Sequence, residues 1–290
     1  MITDSQTNFI YLADTLKLKY PKFSNDFQKI LKQAGVDFSF LPNTKDVWAV
    51  DYMPIQINEK EFIQFRYHPN YLTDTIKWKK TISDTNLICE KIGLNPKKSE
   101  IILDGGNVVR SNNKVIMCDK VFLENPAIEF KELMKQLENL FQIDKIIFIP
   151  THPSDKIGHA DGILRFYDEQ TVLLNQFSNE DKKFEISCKT SLQNAGIDFI
   201  EIPYNPYQNL KNIDATGIYI NYLEVGSKII LPIFGKPEDD VTIKQFEILF
   251  PKHKILTLES SELAKDGGVL NCITWNVHKH LASLEKRHNI

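Results

Sequence analysis

Short apolar runs rich in β-branched and aromatic residues alternate with amphipathic stretches along the whole chain. The runs predict strands at Ala49–Ile57, Phe62–Tyr67, Glu100–Ile102, Val108–Val109, Val115–Met117, Lys145–Ile149, Ile163–Tyr167 and Thr171–Leu174. Further strands are predicted at Phe199–Ile202, Ile218–Val225, Lys228–Pro232, Lys254–Leu258 and Cys272–Trp275. Apolar positions at helical spacing predict helices over Asp26–Ala34, Asp84–Ile92, Ile128–Phe141, Phe184–Ala195, Asp239–Phe250 and Asn276–His288. The alternation is that of an α/β protein. No Pro-, Ser- or Gly-rich linker divides the chain, so one domain over residues 1–290 is expected.

Composition narrows the function classes. With 42% hydrophobic and 25% charged residues the chain can bury a substantial core. A net charge of −3 gives no reason to expect nucleic acid or an anionic membrane as partner. No run approaches the ~18 apolar residues of a membrane helix. The opening Met1-Ile-Thr-Asp-Ser-Gln-Thr lacks the basic and apolar regions of a signal peptide, so a cytoplasmic location is expected. The four cysteines are far apart and form no C-x-x-C pair, which suggests neither a zinc site nor a disulfide framework. Cys89, Cys118 and Cys188 read as buried packing. His278 and His280 read as terminal helix surface rather than metal ligands.

Four clusters carry candidate chemistry. In Val47-Trp-Ala-Val-Asp51-Tyr-Met-Pro54, a carboxylate interrupts an apolar run, where it would be costly unpaired. It is either a turn residue or a partner for a cation, with Trp48 able to cover that cation. Leu103-Asp104-Gly-Gly-Asn107 is a hairpin-turn signal, or a place where two glycines let a ligand approach the backbone. In Gly158-His159-Ala-Asp161-Gly162, His and Asp would share a face if they lay on a strand. His is the side chain most readily poised for proton transfer near neutral pH. Cys272, after Gly267-Gly268 and Asn271, is a plausible nucleophile for that His to serve. The landmarks Asp51, Asp104, Asp161, Asn221 and Cys272 recur about every 55 residues, the range of stacked or radial repeats.

The ordered set resembles the guanidino-group-modifying superfamily, the penteins, in its agmatine deiminase and bacterial peptidylarginine deiminase branch. The matching stretches are Trp48–Pro54, Leu103–Asn107, Gly158–Phe166, Tyr219–Tyr222 with Leu231–Gly235, and Gly267–Thr274. The resemblance implies a five-bladed α/β propeller with pseudo-fivefold repeats. It implies Cys272 as nucleophile, His159 as general acid and base, and Asp51 and Asp161 as carboxylates that hold the guanidinium. Trp48, Asp104, Asn221 and Arg165 are implied as substrate-binding residues. Arg66, Arg165 and Lys236 could each meet a substrate carboxylate, though solvent exposure is the ordinary state of such residues. The reaction implied is hydrolysis of a small-molecule or peptidyl guanidine to a ureido product and ammonia, with neither metal nor organic cofactor. A homodimer is a further possibility. The alternatives are an amidinotransferase using the same Cys and His, and a non-catalytic binding protein.

Three positions depart from the branch. Val50 stands where relatives of the agmatine branch usually carry Arg, Asp104 where Glu is common, and Asn271 where His often precedes the Cys.

Overall fold

The computed structural model describes residues 1–73, 75–177, 182–205 and 214–280. Its strands form five three-stranded sheets. Four sheets run in chain order: β3 (Ile55–Gln56), β4 (Phe62–Arg66) and β5 (Lys97–Ile102); β6 (Val109–Arg110), β7 (Lys114–Cys118) and β8 (Lys145–Ile149); β9 (Leu164–Phe166), β10 (Thr171–Asn175) and β11 (Asp198–Ile202); β12 (Leu223–Val225), β13 (Lys228–Ile233) and β14 (Lys254–Glu259). In each, the first strand is antiparallel to the second and the second is parallel to the third. The fifth sheet joins the two ends of the described chain. There β15 (Thr274–Val277) is antiparallel to β1 (Phe9–Ala13), and β1 is parallel to β2 (Asp37–Leu41). One pairing rule therefore repeats five times, the last repeat being assembled from both ends.

A parallel pair needs a crossover, and helices supply it. Pro21–Ala34 links β1 to β2 and turns Phe23, Phe27, Leu31 and Ala34 inward, an apolar stripe at helical spacing. Pro21 occupies the first helical position, where its missing N–H costs nothing, and Gly35 ends the helix at φ 67°. Phe130–Phe141 links β7 to β8. Glu129 caps it, its carboxylate accepting from the N–H groups of Lys131 at 2.9 Å and Glu132 at 3.2 Å.

Several expectations shift. Phe9–Ala13 and Asp37–Leu41 pair as strands that the pattern does not predict; the first is buried at every position, which periodicity cannot tell from helix. Ala49–Tyr52 is a short helical turn rather than strand, and pairing begins only at Ile55. The run at 218–225 pairs only at Leu223–Val225; ahead of it the backbone turns, with Ile218 N–H donating to the Ala215 carbonyl and Asn221 N–H to that of Ile218. Asn276 and Val277 belong to β15, not to a terminal helix; His278 follows the strand and its Nδ1 lies 2.8 Å from the Gln6 carbonyl. Residues 281–288 of that expected helix lie outside the described residues.

Candidate active site

The five landmarks of the sequence share one structural position. Asp51, Asp104, Asp161, Asn221 and Cys272 each lie two to five residues ahead of the antiparallel first strand of a sheet. They sit on short turns rather than in the ladders. Asp51 is in the helical turn Ala49–Tyr52, Asp104 precedes the 3-10 turn Gly105–Asn107, and His159 precedes the 3-10 turn Ala160–Gly162 that carries Asp161. His159 and Asp161 therefore do not alternate as strand residues would. They face different partners.

His159 lies between two carboxylates. Its Nδ1 is 3.4 Å from Asp51 Oδ1 and its Nε2 is 3.0 Å from Asp104 Oδ2. Asp51 also accepts from the Gly106 N–H at 3.1 Å. Gly106 is required by close approach: a Cβ there would come 2.6 Å from both Asp51 Oδ1 and His159 Nδ1. The turn read as a hairpin signal is thus a passage for two reactive side chains.

Asp161 belongs to the other half of the site. Its Oδ2 accepts from Asn271 Nδ2 at 2.7 Å and from Asn221 Nδ2 at 3.2 Å, and lies 3.7 Å from Cys272 Sγ. Asn221 Oδ1 accepts from the Cys272 N–H at 3.3 Å, so one amide ties carboxylate and cysteine together. Trp48 packs on Gly268, where a Cβ would stand 2.6 Å from its ring and 3.1 Å from Cys272 Sγ. A pocket opens between the halves, lined by His159, Asp161, Asn221, Gly267, Gly268 and Cys272. Its outer wall includes His152, Asp155, Phe177, Tyr204, Asp214 and Ile218.

The electrostatics follow from burial. Desolvation, followed by the charges of Asp161 and Asp51, pushes the Cys272 thiol well above its ordinary value. Burial lifts Asp51 to about 7 although His159 opposes it, and burial also raises Asp161. Burial works against a charged His159, but Asp51 and the hydrogen bond to Asp104 outweigh it and lift the imidazole to about 9. Asp104 is held below the usual carboxylate range: His159 and Lys120 overcome its desolvation. At neutral pH the imidazole is protonated, while burial resists ionisation of Asp51, Asp161 and the Cys272 thiol, so that an incoming cation would favour their charged forms. A planar guanidinium, with N–H forks along its edges, fits carboxylates of this kind.

Arg165 lies elsewhere. It is buried in β9, pairs with Asp4, and donates to the Tyr222 carbonyl at 3.1 Å beneath the Tyr222 ring. It lines no part of the pocket described above, and it is not exposed as expected. Arg66 is exposed on β4. Two further residues escaped the reading of the motifs: Asn271, a donor to Asp161, and Lys120, buried against Asp104. Asn271 was visible beside Cys272; a buried lysine one turn beyond a strand has no local signal.

Comparison with known proteins gives the family and the fold. The family model described as Porphyromonas-type peptidyl-arginine deiminase matches residues 13–277. An agmatine deiminase of Pseudomonas aeruginosa is 22% identical over 216 residues, 61% of this chain and 57% of its own length. The match to a Mycoplasma mycoides relative likewise spans 63% of that protein, less than two thirds. Among solved structures, C. jejuni agmatine deiminase superposes with a TM-score of 0.77 at 18% identity, covering 97% of this chain and 96% of that one. A DDAH of P. aeruginosa in complex with citrulline gives 0.58 at 13% identity, over 94% and 100%. Likenesses at this identity establish the fold, and the five repeated sheets fit the five repeats of a pentein α/β propeller.

Proposed function

Since the chain belongs to the Porphyromonas-type peptidyl-arginine deiminase family, we propose that it hydrolyses a guanidine to a ureido product and ammonia through Cys272. The observation that carries this reading is a pocket where the Cys272 thiol, the His159 imidazole and the Asp161 carboxylate meet, with Asp51 and Asp104 on the imidazole behind it. The guanidinium is held by Asp51 and Asp161. Its positive charge offsets the two carboxylates that disfavour the thiolate, so Cys272 releases its proton to solvent on binding rather than beforehand. Sulfur attacks the guanidinium carbon. His159, already protonated, gives its proton to the departing nitrogen, and ammonia leaves a thiouronium on Cys272. The imidazole then takes a proton from water, hydroxide adds to the same carbon, and the C–S bond breaks to release the ureido product.

The pocket wall favours a substrate with a cationic tail. Among the described lining residues Asp155, Asp161 and Asp214 are acidic and none is Lys or Arg; with Asp161 on the guanidinium, Asp155 and Asp214 are left for the tail. An amine-terminated guanidine such as agmatine is matched there, whereas the carboxylate of free arginine meets like charge. Agmatine, free arginine and an arginyl peptide assayed side by side test this. Agmatine is expected to exceed arginine in kcat/KM by about tenfold or more, the effect of one unfavourable charge contact. Asp214→Asn and Asp155→Asn should narrow the gap from both sides, weakening agmatine and relieving arginine. Equal use of agmatine and arginine, unmoved by either variant, would refute the assignment of the tail.

A further inference from the structure

Lysine is seldom buried unless its ammonium is fully paired, yet Lys120 is 6% exposed. It opens the helix Lys120–Glu124, two residues after Cys118 ends β7. Its stem passes beneath Gly158, where a Cβ would come 3.0 Å from Lys120 Cδ. The ammonium donates to the Ile157 carbonyl at 2.7 Å and to Asp104 Oδ2 at 3.3 Å, and it lies 3.1 Å from Glu124 Oε1. Asp104 Oδ2 is the same atom that meets His159 Nε2. One carboxylate oxygen is therefore shared between imidazole and ammonium, with a second carboxylate behind the ammonium. The reaction as derived above uses neither Lys120 nor Glu124.

An imidazolium gripped by a carboxylate at each nitrogen is stable, but a stable imidazolium is a reluctant acid. The groups facing the His159 ring are Asp51 on one side, Asp104 on the other, Tyr71 with its ring edge-on at 6.2 Å, and Asp161 from the same turn. Lys120 is the cation beyond Asp104. We propose that Lys120 is a positioning residue: it divides Asp104 between two cations, fixing the carboxylate against His159 while loosening its hold on the imidazole proton. Glu124 acts in the opposite sense by drawing the ammonium toward itself. The charges agree in direction, since Lys120 opposes protonation of His159 where Asp51 and Asp104 favour it. The inference rests on the acid–base role given to His159 above.

The test is an NMR titration of the His159 ring in the whole protein, the resonance assigned by its loss in His159→Asn. Lys120→Met keeps the stem and removes the charge. It should raise the His159 midpoint by about one pH unit or more, the effect of losing a like charge nearby. Glu124→Gln should lower the midpoint. The alkaline limb of the kcat profile should move with the titration in each variant. A purely structural lysine would not shift the midpoint in opposite directions in the two variants. If Lys120→Met fails to fold, Glu124→Gln decides: a midpoint that stays or rises overturns the proposal, as does an unmoved midpoint in folded Lys120→Met. The titrations need no substrate. A wild-type protein inert toward every guanidine, with these shifts intact, would sink the deiminase reading and leave the role of Lys120 standing.

Discussion

At the scale of the residue, the site is a matter of ångströms around two glycines. Gly106 lets Asp51 and His159 approach each other, and any side chain there would enter both. Gly106→Ala should therefore cut kcat by about 10²-fold or more, the usual cost of misplacing a catalytic group by about 1 Å. A variant with wild-type kcat would show that the contact between Asp51 and His159 is idle. Proton affinity gives a second check. The imidazole is lifted from 6.5 in its ordinary state to about 9 in the folded protein. The folded state thus binds more protons than the unfolded chain between those values, and the stabilisation is complete below about pH 6.5 and lost as pH rises through about 9. Denaturant midpoints across that window should fall in the wild type and fall less in His159→Asn. Parallel slopes would remove the coupling. These residues were legible from the sequence because reactive side chains stood beside glycines in a recurring order. Lys120 was not, because its burial depends on Gly158 and Asp104, which meet it only in the fold.

At the scale of the element, the strands were largely written in the apolar runs, while the turns that hold the chemistry were not. Lys145–Ile149 pairs over the range its β-branched run predicts, since an apolar run can satisfy a ladder on its own. Asp51 and Asp161 lie on one-turn helices and Asp104 just ahead of one; tertiary hydrogen bonds such as that from Gly106 N–H to Asp51 tie these turns together, and no local periodicity encodes them. Arg165 shows the same limit. The resemblance implied substrate contact for it, but β9 turns it inward onto Asp4, which also meets Arg110 at 3.1 Å. Arg165→Met should cost about 3 kcal/mol of stability by leaving part of a buried pair uncompensated. Its KM for the guanidine should change little, because Arg165 does not line the pocket. A large rise in KM at unchanged stability would return Arg165 to the substrate.

At the scale of the whole molecule, five sheets repeat one pairing rule and aim five short segments at one another. The last of these segments, carrying Cys272, leads straight into β15, which is registered on β1 from Phe9↔Val277 to Leu12↔Thr274. The nucleophile is therefore held by a sheet built from both ends of the described chain. The 55-residue spacing made this organisation readable, since each landmark precedes an equivalent strand; the pairing of β1 with β15 was hidden by its sequence distance. This convergence makes the Cys272 sulfur the atom that attacks a guanidinium. Turnover of agmatine in ¹⁸O-water by the wild type and by Cys272→Ala of matched circular dichroism puts that to the test. Ureido product and ammonia are expected in equal amounts, with the heavy oxygen in the ureido carbonyl and a loss of at least about 10³-fold in the variant. Undiminished turnover by Cys272→Ala would contradict it.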